Sequence, residues 1–179
     1  MRLLKTPLAG ALVLEPKVFE DERGFFLESY NQKTLAGIGI RDTFVQDNHS
    51  YSKRGVLRGL HYQVQSAQGK LVRVVSGEVL DVFLDVRRSS PTFGSWHGVR
   101  LSGENRRLAW IPAGFAHGFY VLSDAHVLYK STEFYFPELE RTVLWNDPEL
   151  KIDWGNISQP LLSEKDKRGV RFRDAEAFS

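Results

Sequence analysis

The chain contains 179 residues, of which 42% are hydrophobic and 26% are charged, and its formal net charge is +2. This composition is typical of one globular domain spanning residues 1–179; it excludes general disorder and gives no indication of a nucleic-acid partner. The chain has no cysteine and no apolar run of signal-peptide or membrane-span length, so we expect a cytoplasmic protein without disulfides, thiolate metal sites or a membrane partner.

Glycine and proline divide the first part of the chain into short segments rich in β-forming residues. Asp21–Gly24 has the composition of a turn. Asn31 is suited to cap a helix and Gly37 to stop one, which predicts a short helix over 31–38. The strands expected here are an edge strand over 12–19 that is broken at Pro16, followed by 25–30, 43–48 and 55–63.

The second part of the chain contains the clearest alternation, in which Val79, Asp81, Phe83 and Asp85 share one face of a strand over 78–86. The other strands expected here are 70–75, which turns at 76–77 into 78–86, and then 96–101, 107–111, 118–122 and 126–130. A short helix is expected over 163–168. Many short strands at this spacing predict an all-β jelly roll with a few short peripheral helices.

The stretch Gly55–Gln63 (GVLRGLHYQ) is an apolar strand that carries both an arginine and a histidine. Arg58 and His61 are an odd number of residues apart, so a regular period of two places them on opposite faces. Gly59 between them can accommodate a bulge or a close backbone approach that turns one side chain to the other face. We therefore expect this strand to carry functional residues as well as core residues.

A second motif, Pro112–Gly118 (PAGFAHG), is a tight turn that leads His117 into a strand. A jelly roll with His61 on an early strand and this later turn resembles the cupins. In many cupins two histidines one residue apart, a carboxylate and the later histidine hold a metal. Here Gln63 replaces the second histidine and residues 64–70 contain no Asp or Glu, so we expect no metal.

Without a metal, His61 is available as a general base, since its ordinary pKa lies near 6.5. Such a base works best when a carboxylate holds its other ring nitrogen. Asp166 is a candidate for that role, although sequence spacing alone does not pair it with His61. His49, His97 and His126 belong to no motif and are expected to be structural.

Eight segments of the chain, in the same order as in the family, resemble the dTDP-4-dehydrorhamnose 3,5-epimerase family. The resemblance runs from about residue 3 to the C-terminus. The segments are DERGFF (21–26), QDNHS (46–50), VLRGLHYQ (56–63), AQGKLVR (67–73), SSPTFG (89–94), WIPAGFAHGF (110–119), LYK (128–130) and WNDP (145–148).

The resemblance implies a cofactor-free, homodimeric cupin that epimerises a dTDP-4-keto-6-deoxyhexose at C3 and C5 in the pathway to dTDP-L-rhamnose. By this resemblance His61 is the base, Asp166 orients it, Tyr129 is the acid on the opposite face of the sugar, and Lys70 stabilises the C4 enolate with help from Arg58. Tyr135 would stack on thymine. The other substrate-contacting positions implied are Arg23, Glu28, Gln46, Asp47, Asn48, His117, Glu140 and Lys165.

These residue types suit the reaction, because a proton next to a ketone becomes acidic only when the enolate oxygen is stabilised. Inversion also requires a base on one face of the ring and an acid on the other. The loops over 63–67 and 123–128 are about one residue shorter than is usual in the family, which leaves open an epimerase that inverts C3 only. The sequence is also compatible with a nucleotide-sugar-binding cupin without activity and with a metal-dependent cupin enzyme.

Overall fold

The structure, a computed structural model, describes residues 1–155, 157 and 159–179. Within these residues it contains eleven strands, two short α-helices, α1 (Gln32–Gly37) and α2 (Glu164–Lys167), and two 3-10 helices, Pro137–Leu139 and Phe172–Asp174. The strands are β1 (Arg2–Lys5), β2 (Leu12–Glu15), β3 (Val18–Asp21), β4 (Gly24–Leu27), β5 (Gln46–Ser52), β6 (Leu57–Gln63), β7 (Lys70–Asp85), β8 (Trp96–Ser102), β9 (Leu108–Ile111), β10 (Phe115–Ser131) and β11 (Glu140–Thr142).

Apart from the separate hairpin of β3 and β4, the strands form two antiparallel sheets, and the long strands β7 and β10 belong to both of them. Their halves nearer Lys70 and Ser131 lie in a first sheet with the order β1-β2-β9-β7-β10-β5. Their other halves lie in a second sheet with the order β8-β7-β10-β6-β11. This double-sheet arrangement with short helices is the cupin-type jelly roll that the sequence predicts.

The predicted turns within β7 and β10 are wrong, because each of these strands is continuous. Gly77 has a φ of +77°, and a Cβ atom at this residue would collide with the carbonyl oxygen of Asp124 on β10. The pairing of β10 with β7 shifts register between Val121 and Ser123 and again around His126. Gly77 and these bulges therefore allow β7 and β10 to bend together and to pass from one sheet into the other. The sequence pattern had indicated a hairpin turn at each of these bends.

At the N-terminal end, the helix and the turn are confirmed, but the predicted edge strand is not at an edge. The side chain of Asn31 accepts hydrogen bonds from the first turn of α1, and β3 and β4 form a separate hairpin around the predicted turn. β2 pairs with both β1 and β9, so β1 is the strand at the sheet edge. The helix over 163–168 is also confirmed, as α2 with Ser163 as its cap.

The core explains the alternation along β7, since both faces of that strand are buried. Val79 and Phe83 pack between the two sheets, whereas Val82 and Leu84 pack outside the second sheet against the C-terminal segment around Trp154. A third apolar cluster packs α1 against the outside of the first sheet. None of the helices in the described part of the chain is long and apolar enough to cross a membrane.

Candidate active site

A cleft of about 520 Å³ opens between the two sheets, and we call it the central cleft. Eleven of the fourteen site residues expected from the sequence line it. They are Gln46, Asn48, Arg58, His61, Lys70, His117, Tyr129, Tyr135, Glu140, Lys165 and Asp166.

The period of two along the strands of the first sheet decides which side chains reach the central cleft. Tyr129 lies opposite Asn48 on β5, and Gln46 is two residues from Asn48, so all three face the space between the sheets. Asp47 lies between Gln46 and Asn48 and therefore faces the other way. Its carboxylate is 3.1 Å from Nζ of Lys130 on the outer face, so the structure does not bring Asp47 into the cleft.

A bulge in β6 places Arg58 and His61 on the same face, as the position of Gly59 predicts. His61 lies opposite His117 of β10 and Arg58 opposite Phe119, so two residues of β6, Gly59 and Leu60, face the single residue Gly118 of β10. Gly59 has a φ of +116°, and a Cβ atom there would lie 2.5 Å from Cα of Gly118 and 2.7 Å from the carbonyl oxygen of His117. Only glycine allows this conformation and this approach without strain.

Asp166 lies on α2, and its carboxylate holds the imidazole ring of His61. The Nε2 atom of His61 lies 2.6 Å from Oδ1 of Asp166, which also accepts a bond of 3.0 Å from the backbone N–H of Gly59. Ser163 donates from its hydroxyl to the other carboxylate oxygen at 2.5 Å. Burial by itself would raise the pKa of the Asp166 carboxyl, but the bonds from His61, Ser163 and Gly59 lower it to about 2, so the carboxylate is charged.

This pairing leaves Nδ1 of His61 as the free ring nitrogen, since it makes no hydrogen bond with any described residue. Burial lowers the pKa of the His61 imidazole, and the nearby charge of Lys165 lowers it further against the opposing effect of Asp166. The imidazole is therefore neutral at pH 7, with a proton on Nε2 and an unshared pair on Nδ1. That state is the one a general base requires.

His117 has a carboxylate partner of its own, which no pattern in the sequence predicted. Its Nε2 atom lies 2.7 Å from Oδ2 of Asp81, and both side chains are buried. The remaining oxygen of Asp81 has no hydrogen-bond partner among the described residues. The alternation along β7 already indicated that Asp81 faces inward, but it did not show what Asp81 contacts.

Lys70 begins β7 and carries an ammonium group that makes no ion pair within the described part of the chain. Burial lowers the pKa of Lys70 to about 8, and the charge of Lys165 acts in the same direction, whereas Glu140 and Asp81 partly oppose the change. At neutral pH the group is thus a positive charge in a poorly solvated place. Such a charge stabilises an oxyanion far more strongly than a charge in water.

Two tyrosines and a glutamate complete the side of the cleft near β11. Burial raises the pKa of the Tyr129 hydroxyl, and the charge of Glu140 raises it further, so Tyr129 holds its proton at neutral pH. Glu140 accepts a hydrogen bond of 3.0 Å from the Tyr135 hydroxyl and lies 2.7 Å from Nζ of Lys165. The exposed ring of Tyr135 is available for stacking.

Gln63, at the position where metal-binding cupins carry a second histidine, does not line the central cleft. Its amide nitrogen donates to the carbonyl oxygens of Ser66 and Phe134, and its amide oxygen accepts from the N–H of Phe136. Among the described residues, no group of three or more His, Cys, Asp or Glu side chains is arranged to hold a metal ion.

Arg23 and Glu28 lie away from the central cleft of this chain. Arg23 is at the tip of the β3–β4 hairpin, where it pairs with Asp21 at 2.5 Å in an exposed position. Glu28 accepts hydrogen bonds from Asn31 and Thr34 at the start of α1.

The central cleft also contains residues that were not predicted to be site residues. They are Ser50, Gln68, Gly118, Phe119 and Ser163. Ser50 follows Asn48 by two residues on β5, so the period of two was a sufficient signal for it. Gln68 lies in the family-like segment over 67–73, but no role was predicted for it. The three remaining histidines, His49, His97 and His126, do not line the cleft.

Comparisons with known proteins agree on one family. The family profile described as dTDP-4-dehydrorhamnose 3,5-epimerase matches residues 5–174. A protein of Pseudomonas aeruginosa named dTDP-4-dehydrorhamnose 3,5-epimerase is 59% identical over 180 residues, which cover 99% of each chain.

Solved structures extend the likeness to the fold. A dTDP-6-deoxy-D-glucose-3,5-epimerase from Legionella pneumophila, in complex with dTDP-4-keto-L-rhamnose, is 52% identical with a TM-score of 0.95 and covers 98% of this chain and 94% of its own. A 3'-monoepimerase from Streptomyces bikiniensis, in complex with dTDP-quinovose, is 34% identical with a TM-score of 0.88 and covers 94% of this chain and 86% of its own.

Proposed function

The chain belongs to the dTDP-4-dehydrorhamnose 3,5-epimerase family of isomerases, and from this premise we propose how its central cleft acts. The substrate is dTDP-4-dehydro-6-deoxy-D-glucose, which the enzyme inverts at C3 and C5 to dTDP-4-dehydro-L-rhamnose without a cofactor. The product serves the formation of dTDP-L-rhamnose. The observation that carries the proposal is a neutral histidine held by a carboxylate, in one cleft with a tyrosine and a poorly solvated lysine.

In the first half of each inversion, Nδ1 of His61 takes the proton from the carbon next to the C4 ketone. The C–H electron pair moves into a new C=C bond, and the negative charge develops on the C4 oxygen. Lys70 stabilises that charge, with Arg58 as a second cation. Asp166 keeps the imidazole in the required tautomer and stabilises the imidazolium that forms.

In the second half, Tyr129 donates its hydroxyl proton to the same carbon from the other face of the ring. The phenolate then regains a proton from solvent, and the His61 imidazolium releases to solvent the proton that it took. His61 is on β6 of the second sheet, whereas Tyr129 is on the half of β10 that belongs to the first sheet. A sugar between the sheets would thus meet the base on one face and the acid on the other. This arrangement supports inversion over exchange with retention.

The nucleotide part of the substrate fits the remaining residues of the cleft. We assign the diphosphate to the cations Arg58 and Lys165 and the thymine ring to Tyr135. Gln46, Asn48, Glu140 and His117 supply polar contacts. Asp81 orients the imidazole ring of His117 through its contact with Nε2.

Incubation with dTDP-4-keto-6-deoxyglucose in heavy water, followed by NMR of the recovered sugar nucleotide, tests the regiochemistry. We expect deuterium at both C3 and C5 and appearance of the L-lyxo product. Deuterium at C3 alone would assign the chain to the C3-only epimerases, and exchange at neither carbon would leave a binding protein.

The pH dependence of kcat/KM should be bell-shaped. The rate falls at low pH as His61 becomes protonated, with a midpoint below 6.5 because burial lowers the pKa of His61. It falls at high pH as Lys70 loses its proton, with a midpoint at about 8. Arginine stays protonated, so Lys70→Arg should lower the rate but remove the fall near pH 8. An unchanged high-pH midpoint in this variant would contradict the role of Lys70.

We further propose a cytoplasmic homodimer in which each chain is one domain and the β3–β4 hairpin of one protomer supports the cleft of its partner. The hairpin exposes Phe19, Phe25 and Phe26, and the outer edge of β5 pairs with no strand in the described part of the chain. An open edge next to Gln46 and Asn48 suits strand addition by the hairpin. Arg23 and Glu28 would then contact substrate in the partner's cleft.

Mixing two inactive variants tests this arrangement. Arg23→Ala and His61→Ala chains, unfolded and refolded together, should regain activity, because a mixed dimer has one cleft with both residues intact. Each variant refolded alone is the control. If the mixture stays as inactive as the separate variants while sedimenting as dimers, the hairpin does not serve the partner.

A further inference from the structure

Gln63 is a buried polar side chain that connects two loops beside the central cleft without lining it. It ends β6 and is only 3% exposed. Its amide nitrogen lies 2.6 Å from the carbonyl oxygen of Ser66 and 3.0 Å from that of Phe134, and its amide oxygen lies 2.8 Å from the backbone nitrogen of Phe136. The amide thus uses both donors and its acceptor on backbone groups of two separate segments.

The first of these segments has an unusual backbone that Gln63 helps to hold. Gln65 and Ser66 have φ values of +49° and +39°, in the left-handed region that residues other than glycine rarely adopt. Such conformations persist where the surrounding structure over-determines them. The bond from Gln63 to the Ser66 carbonyl is one such constraint.

The second segment presents Tyr135 to the cleft, and Gln63 bonds to the residue on each side of it. Tyr135 itself is anchored at its backbone nitrogen by Gln46, at 3.1 Å. With Phe134 and Phe136 both tied to one buried amide, the backbone that carries the Tyr135 ring has little freedom. Tyr135 is 47% exposed, and its hydroxyl donates a hydrogen bond of 3.0 Å to Glu140, so the ring is held mainly by its backbone and by this one bond.

We propose that Gln63 is a positioning residue for nucleotide binding, which orients Tyr135 to stack on the base of the substrate. This inference rests on the proposed function, in which Tyr135 meets the thymine ring. The ordering of Tyr135 before the ligand arrives reduces the conformational entropy that binding must overcome. Gln63 therefore acts on affinity for the nucleotide and does not touch substrate.

The chemistry of the cleft is held independently of Gln63. Lys70 is fixed by strand pairing with Ile111 of β9 and Ser131 of β10, and His61 by its bond to Asp166. Loss of the Gln63 amide should thus weaken nucleotide binding while the rate of the bound substrate changes little. A residue that only stabilises the fold would not separate these two quantities.

The test compares Gln63→Met with wild type, Tyr135→Ala and the double variant. Methionine has a similar length and volume but makes none of the three hydrogen bonds. Binding of dTDP is measured by calorimetry, kcat and KM by epimerisation, and folding by thermal unfolding. We expect Gln63→Met to raise both the Kd for dTDP and the KM by about tenfold, an effect within the range expected for the loss of one base–aromatic stack. We expect kcat to stay within about threefold of the wild-type value.

Coupling to Tyr135 gives the sharper readout. If Gln63 acts through Tyr135, Gln63→Met should weaken dTDP binding little further in the Tyr135→Ala background. Additive losses in the double variant would overturn the inference. Should Gln63→Met fail to fold, Gln63→Asn, which keeps the amide but cannot reach both loops, should show the same pattern with a smaller change.

Asp147→Asn is the matched control. Asp147 is equally buried and accepts three backbone hydrogen bonds, from Glu149, Leu150 and Phe172, but it does not line the central cleft. This variant should lower Tm and leave the Kd for dTDP unchanged. If Gln63→Met behaves in the same way, the positioning role is wrong. If wild-type protein itself does not bind dTDP, the proposed function fails instead.

Discussion

His61→Ala is expected to lower epimerisation by about 10³-fold or more and to abolish deuterium uptake at both C3 and C5. The variant removes the nitrogen that takes the proton and leaves Asp166 without its partner at 2.6 Å. Within the described residues, the other imidazole that lines the central cleft is that of His117, which Asp81 holds in the same way and which is more deeply buried, with 8% of its side chain exposed against 20% for His61. The measurement is NMR of the sugar nucleotide in heavy water, with dTDP binding as a check that the cleft persists.

Tyr129→Phe separates the two halves of the reaction in the same assay. Phenylalanine cannot donate a proton, but His61 can still remove one and return a deuteron to the same face. We therefore expect deuterium in recovered substrate with loss of the L-lyxo product. His97→Ala, at a histidine outside the cleft, is the control and should stay within about twofold of wild type. Full exchange in His61→Ala would transfer the role of base to another residue.

Gly59→Ala should destabilise the fold by about 3 kcal/mol or more, because two costs add at one position. An alanine there would adopt a φ of +116°, and its methyl group would meet Gly118 and His117 at 2.5 and 2.7 Å. Relief requires β6 and β10 to separate at the bulge, where the N–H of Gly59 also holds Asp166. Urea unfolding of the two proteins measures the difference.

Gly39→Ala is the control with a similar backbone. Gly39 has a φ of +97°, but no atom lies within 4 Å of the position of its Cβ, and it lies outside the β3–β4 hairpin. It therefore reports the cost of the left-handed conformation alone. If Gly59→Ala costs no more than Gly39→Ala, the close approach of β6 and β10 does not contribute to stability.

The strand pattern was predictable, but the length of the strands was not. Each half of β7 and β10 shows its own alternation, and the bends at Gly77 and near Ser123 carry residues that also form hairpin turns. Whether such a site turns back or only bends depends on the strand beside it. Here the bends of β7 and β10 lie against each other, so both strands continue.

The faces of the strands illustrate a second limit. The period of two assigns Asp47 to the side opposite Gln46 and Asn48, and it assigns Ser50 to their side. Resemblance to a family selects residues by identity and included Asp47 without regard to its face. Geometry excludes Asp47 from this cleft, where its carboxylate pairs with Lys130 instead.

By itself the sequence determined the jelly roll and the helix caps, because period and turn residues are local properties, and its resemblance to a family identified most of the chemical groups of the cleft. Tertiary structure decided which groups meet. Asp166 reaches His61 across 105 positions of the chain, and Asp81 reaches His117 across 36. Such pairs depend on how two sheets and a C-terminal helix pack, and no spacing within one strand encodes that packing.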